Sequence, residues 1–390
     1  MKLFSFVALV ALAALSGCSN KLVPSTSKVT GETIAPADPK ATKETVALFR
    51  SLWKLQQKGI MYGHQDDLMY GRTWWYEKDR SDTKDFNGDY PAVAGFELGD
   101  IELGKVQSLD SVNFFQMAEQ IKAHYKRGGI TTLSWHLNNP LTMQLPPESR
   151  KVKPTAWDVS SDKVVASILP GGNNHALFNS WLDKLSSFLA GLKDEKGTPI
   201  PFIFRPYHEH SGNFFWWGTP LATDDQYASL WRYTVQYLRD KKGFHNILYA
   251  YNTDRTTSLQ QYLKGYPGDD IIDLLSFDMY DRGPQFNAEL DSALSYVTKT
   301  AIDRRKLTAL SETGPRRGME NWWSAALLPI VSKYPVGYVL TWRHTYNPRL
   351  AGSSTAPKPF PEDFKNFYNS PRTLFLKDIQ DENIYKFNSK

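Results

Sequence analysis

Pro201-Phe-Ile-Phe-Arg-Pro-Tyr-His-Glu-His-Ser-Gly-Asn-Phe-Phe-Trp-Trp-Gly218 is the most telling stretch of this chain. Apolar residues dominate its first half without the alternation of a half-exposed strand, so Pro201–His208 reads as a strand buried on both faces. Glu209 follows where that strand would leave the core. Leu307-Thr-Ala-Leu-Ser-Glu-Thr-Gly-Pro-Arg-Arg-Gly318 repeats the pattern, a short apolar run ending at Glu312. Strands buried on both faces belong to parallel sheets covered by helices.

Working outward, eight such runs can be found: Ile60–His64, Ala92–Leu98, Ile130–His136, Pro201–His208, Asn246–Asn252, Ile271–Met279, Leu307–Ser311 and Val336–Trp342. Helical periodicity lies between them at Val112–Tyr125, His175–Leu192, Asp224–Arg239, Ala288–Arg304 and Glu320–Tyr334. A helix capped by Asp38, with Pro39 at its first position, is expected before the first strand and is closed by Gly59. Met69–Tyr90, after the first strand, is the weakest helical segment. Eight strand–helix units imply an α/β fold, a closed (β/α)8 TIM barrel in a single catalytic domain. No internal repeat or second domain is visible.

The N-terminus reads differently. Lys2 precedes a short apolar run, Leu3–Leu15, which ends in Leu15-Ser16-Gly17-Cys18. This resembles a bacterial lipobox, implying a signal peptide over 1–17 and lipidation of Cys18. Ser19 points to the outer membrane, and the lack of an acidic cluster after Cys18 favours its periplasmic face over the cell surface. Residues 18–40 are polar and Pro-containing, as in a flexible lipid-anchored linker, leaving 41–390 for the barrel. Cys18 is the only cysteine, which excludes intrachain disulfides and cysteine-based metal sites.

Composition narrows the function classes. The net charge of +5 comes without a basic block or a phosphate-binding glycine loop, so nucleic acid is not an expected partner. Twelve tryptophans and twenty tyrosines suit a carbohydrate cleft better than a polyanion site. His208-Glu209-His210 lacks the HExxH spacing of a helical zinc site, so neither a catalytic metal nor a cofactor is expected. Asp66, Asp67, Asp82 and Asp85, in loops, leave room for a structural cation.

In a barrel of this kind the C-terminal strand ends form the active face. Those ends would gather His64, Glu97, Asp100, Glu102, His136, Arg205, His208, Glu209, Asn252, Asp278, Tyr280, Glu312, Trp342 and Arg343. Two carboxyls about 5–5.5 Å apart at such a mouth can cleave a glycosidic bond with retention. Phe214–Trp217 offers flat faces for a sugar ring, although one of Trp216 and Trp217 is expected in the core. Trp74 and Trp75 are candidates for the cleft rim.

Arg205-Pro-Tyr-His208-Glu209 with Phe215-Trp216-Trp217-Gly218 resembles glycoside hydrolase family 26, most of whose members are β-mannanases. The likeness extends from roughly Ala41 to Lys386. It implies Glu209 as acid/base and Glu312 as nucleophile. It also matches His136, Asp278, Tyr280 and Trp342 to substrate-site positions and Trp157 to an aromatic in the loop after strand three. Phe214 stands where the family often has Trp, which bears on stacking at the +1 sugar. Arg205, His208, Arg343 and Asp100 complete the candidate substrate contacts, with a salt bridge under the site the competing reading for Arg205.

Tyr280, His208 and Arg205 are the expected donors to an ionised Glu312, while burial and Glu312 should keep Glu209 protonated. The expected partner is a β-mannan polysaccharide or oligosaccharide, acted on by a monomer. The competing readings are a β-glucanase or xylanase with the same chemistry, and a non-catalytic carbohydrate-binding lipoprotein.

Overall fold

The computed structural model describes residues 34–71, 74–316, 319–342 and 361–386. Eight strands run parallel in sequence order: β1 (Ile60–Gln65), β2 (Val93–Glu97), β3 (Ile130–Trp135), β4 (Phe202–Pro206), β5 (Ile247–Thr253), β6 (Leu274–Asp278), β7 (Leu307–Thr313) and β8 (Tyr338–Thr341). β1 pairs with both β2 and β8, so the sheet closes on itself into the expected (β/α)8 barrel. A two-residue strand, β9 (Thr373–Leu374), adds to the outer end of β1. Every residue of the eight barrel strands is buried, which is why their sequences lack alternation.

The covering helices show the 3.6-residue period that a buried stripe demands. Phe178, Leu182, Leu185 and Leu189 lie inward on the helix His175–Ala190, as do Leu290, Leu294, Val297 and Ala301 on Phe286–Asp303. Fully burying one such leucine contributes about 1.5–3 kcal/mol. The helical segment expected over Asp224–Arg239 is α-helical to Val235 and then widens into a π-turn, Gln236–Lys241.

Two expectations near the start of the barrel need correction. The first helix is Lys43–Lys58, and Thr42 caps it by accepting from the Thr45 amide. Asp38 caps no helix; it accepts from the Lys40 amide and pairs with His245 Nδ1 at 2.7 Å. The end of the segment read as a linker is therefore held on the barrel, where the Ala37 amide also donates to Asp273. The weak unit after β1 contains one short helix, Asp82–Asn87, capped by Ser81. Asp67 organises its start, accepting from the Ser81 hydroxyl and the Asp82 amide, while Asp85 pairs with Arg80. No helix among the described residues is long and apolar enough to cross a membrane. Cys18, the signal segment and Arg343 lie outside the described residues.

Candidate active site

Glu209 leaves β4 on a strained path. Tyr207 and Glu209 both adopt left-handed backbone, with φ of +52° and +53°, which costs a non-glycine residue on the order of 1–3 kcal/mol. Neighbouring bonds hold this conformation. Asn252 Oδ1 accepts from the Glu209 amide at 2.8 Å, Tyr227 Oη donates to the Tyr207 carbonyl at 2.7 Å, and Trp217 Nε1 donates to the His208 carbonyl at 2.8 Å. The tryptophans after Glu209 thus build its support. Both Trp216 and Trp217 are buried, not one of the two, because each indole N–H finds a backbone carbonyl inside, Trp216 that of Leu137.

Glu312 is aimed by an irregularity in its strand. Phe277 pairs with Leu310 but Asp278 pairs with Glu312, so Ser311 is an extra residue that re-aims the carboxylate. One Glu312 oxygen accepts from Arg205 Nη2 and the other from Tyr280 Oη at 2.7 Å. Arg205 Nη1 donates to Asp278 at 2.8 Å, and Asn252 Nδ2 donates to the other Asp278 oxygen at 2.8 Å.

One oxygen each from Glu209, Asp278 and Glu312 lies within 4.8 Å of the others. Such a trio could hold a cation, and the guanidinium of Arg205 already supplies one to two of its members. Burial pushes the Asp278 carboxyl well above its ordinary value, with Arg205 opposing the shift and Glu312 adding to it. Ionising Glu209 would add negative charge beside two other carboxyls in a poorly solvated place. Burial, then the charges of Asp278 and Glu312, accordingly push the Glu209 carboxyl well above its ordinary value, and Arg205 only partly offsets them.

A second network lies beside the carboxyl pair. His136 Nδ1 meets Glu97 at 2.8 Å, and its Nε2 meets His208 Nε2 at 3.1 Å, so one of those two nitrogens donates and the other accepts. Burial opposes ionisation of Glu97, but His136 and the Ser134 hydroxyl overcome it and hold the carboxyl at about 2. Burial and the nearby His136 and Arg205 keep His208 neutral, pushing its imidazole well below its ordinary value. Trp157 stacks on His136 at 5.0 Å, and Trp342 meets the same ring edge-on at 5.7 Å.

The cavity over this arrangement is lined by Leu109, His136, Trp157, Glu209, Phe214, Phe215, Tyr280, Glu312 and Trp342. Five of the candidate contacts therefore line the cavity with the two glutamates: His136, Trp157, Phe214, Tyr280 and Trp342. Arg205, His208 and Asp278 are buried behind the lining: Arg205 donates to Asp278 and Glu312, Asp278 also accepts from Asn252, and His208 Nε2 meets His136. His208 makes no bond to Glu312, contrary to the expected donor set. Asp100 is not in the lining either; Lys105 and Asn138 take its two oxygens. Sequence reasoning did not single out Leu109, a loop leucine without any distinguishing pattern, or Asn252 as the residue joining both carboxyl sites. The Asn252 signal existed, a polar residue ending an apolar strand.

Comparison with known proteins agrees with this geometry. The family model described as Glycosyl hydrolase family 26 matches residues 37–360. A mannan endo-1,4-beta-mannosidase of Bifidobacterium adolescentis is 35% identical over 310 residues, 73% of this chain but only 28% of that protein, so the chain spans about a quarter of its length. A mannan endo-1,4-beta-mannosidase of Bacillus subtilis is 27% identical over 84% of this chain and 87% of its own. The solved GH26 beta-mannanase of Bacteroides ovatus superposes with a TM-score of 0.81 and 41% identity, covering 90% of this chain and 99% of that one. A Cellulomonas fimi endo-beta-1,4-mannanase follows at 0.76 and 31%, over 89% of this chain and 79% of that one. By barrel, paired glutamates and family match, this chain belongs to glycoside hydrolase family 26.

Proposed function

We propose that the protein is a retaining β-1,4-mannan hydrolase of the endo-mannosidase type. The observation that carries this reading is the 4.8 Å limit on the separation of the Glu209 and Glu312 oxygens, with opposite surroundings for the two groups. That spacing leaves no room for a water between carboxylate and sugar, as inversion would need.

Glu312 attacks the anomeric carbon and forms a glycosyl–enzyme ester while Glu209 gives its proton to the departing oxygen. Forming the ester removes the Glu312 charge, which lowers the proton affinity of Glu209. It can then take a proton from the water that attacks the same carbon and releases Glu312. Arg205 and Tyr280, each donating to one of its oxygens, orient Glu312 beforehand. Trp342 forms the floor under the reacting ring, Phe214 stacks on the ring beyond the scissile bond, and His136, backed by Glu97, offers a polar contact to sugar hydroxyls. Mannan is the favoured substrate because both curated relatives and both solved structures named above are mannanases.

Product analysis over time on linear β-1,4-mannan, with β-glucan and xylan in parallel, tests the reading. Mannooligosaccharides of mixed and shrinking length are expected. Activity confined to glucan or xylan would overturn the substrate and keep the chemistry. We further propose an outer-membrane lipoprotein anchored through Cys18, with its barrel on the periplasmic side. Cys18→Ala should then stay active but leave the membrane fraction, and unchanged fractionation would refute the anchor.

A further inference from the structure

Adjacent tryptophans on the hairpin after β1 have opposite fates. Trp74 is buried, and its indole Nε1 donates to Asp82 at 2.9 Å, with Arg80 over its ring at 5.4 Å. Trp75 is 50% exposed. Its ring lies flat on Tyr70, centroids 4.5 Å apart and planes 18° from parallel, and Tyr76 meets it edge-on at 5.7 Å. Backbone bonds join the two flanks of this segment, from Gly71 N to the Trp74 carbonyl at 2.9 Å and from Tyr76 N to the Met69 carbonyl at 2.8 Å. The ring is thus a backed, pre-oriented flat surface, not a mobile side chain adrift in solvent.

Its position connects it to the cleft. Tyr76 Oη donates to the Ser111 carbonyl at 2.8 Å and accepts from the Asn113 amide at 2.9 Å. Ser111 lies two residues from Leu109, which lines the cavity. The loops after β1 and β2 therefore form one continuous wall, and the barrel order β8–β1–β2 sets that wall beside Trp342. Glu209 protonates the leaving sugar, so the departing part of the chain lies on the β4 side near Phe214. The retained part must run the other way, past Trp342 and Leu109 toward this hairpin.

We propose that Trp75, backed by Tyr70, is a distal platform on which a pyranose ring of the retained, glycone end of the β-1,4-linked chain stacks. This rests on the glycan-hydrolase reading above. An isolated exposed tryptophan needs no explanation. One pinned by stacking beneath it, beside a buried partner that anchors its hairpin, presents an apolar face already ordered for a ring, so little conformational freedom is lost on binding.

The test compares wild type with Trp75→Ala on β-1,4-mannooligosaccharides from mannotriose to mannohexaose. kcat/KM for the longest substrate should fall about five- to tenfold, the size of one aromatic stacking contact, while the value for the shortest stays unchanged. Trp75→Tyr should recover most of the loss, and the thermal midpoint of Trp75→Ala should match wild type. Equal loss at every length, or no loss at any, would overturn the platform. So would a wild-type kcat/KM that stops rising before the chain is long enough to reach the hairpin. If wild type hydrolyses only glucan or xylan, the mannan assignment fails, and the same length series in that sugar decides the platform separately.

Discussion

The ends of β4 and β7 carry the same residue type and treat it in opposite ways. Glu312 is offered two donors, a guanidinium and a phenol. Glu209 is anchored through its amide to Asn252, but its buried carboxyl faces the like charges of Asp278, Glu312 and Asp254. The difference teaches that surroundings can set two identical side chains apart within 4.8 Å, which is what the proposed division of roles relies on. Arg205 is shared by Asp278 and Glu312, while burial pushes the carboxyls of both Asp278 and Glu209 well above their ordinary values.

The contrast is broken most completely by Glu312→Ala. Turnover should drop by at least about 10⁴-fold, with oligosaccharide binding retained, and azide should restore activity with inverted product. Full activity in that variant would sink the nucleophile assignment. Glu209→Ala should slow natural glycosides by about 10²–10⁴-fold while sparing those with very good leaving groups, which need no proton. Equal slowing of both kinds would refute the acid role.

The smallest effect sharpens the contrast without any substrate. A raised carboxyl value means the folded protein binds that proton more tightly than the unfolded chain does. The stabilisation from this is fully present below the ordinary value of 4.5 and is lost as pH rises through the folded value. Glu209→Gln cannot suffer that loss. At alkaline pH it should melt higher than wild type by on the order of 2 °C, the gap closing as pH falls toward 4.5. A gap independent of pH would mean that Glu209 is not held protonated.

The barrel could be read from the chain because burial on both faces writes itself as uninterrupted apolar runs. All eight strands stand where those runs are, within a few residues, and both glutamates sit at strand ends as expected. Which polar residues face the cavity was harder to see. Arg205 lies on β4 just before Glu209, and Asp278 ends β6 beside Glu312 on β7, yet both are buried behind the lining. Their direction depends on the bulge at Ser311 and on left-handed turns at Tyr207 and Glu209, none of which involves glycine. The first helix was misplaced by a similar rivalry: Asp38-Pro39 looks like a start, but Asp38 is drawn to His245, two hundred residues away in the chain. Local patterns record propensity, and long-range partners overrule it.

The sharing of Arg205 has a consequence for how the molecule comes into being. Its guanidinium belongs to β4, while its two acceptors arrive with β6 and β7 and its neighbour Asn252 with β5. A half-built barrel would bury a cation whose counter-charges are still in the unfolded part of the chain, and a lone buried charge costs several kcal/mol. Closing the sheet and bringing Glu209 and Glu312 together are therefore one event. Appearance of activity during refolding would time the moment the last strands seal the barrel.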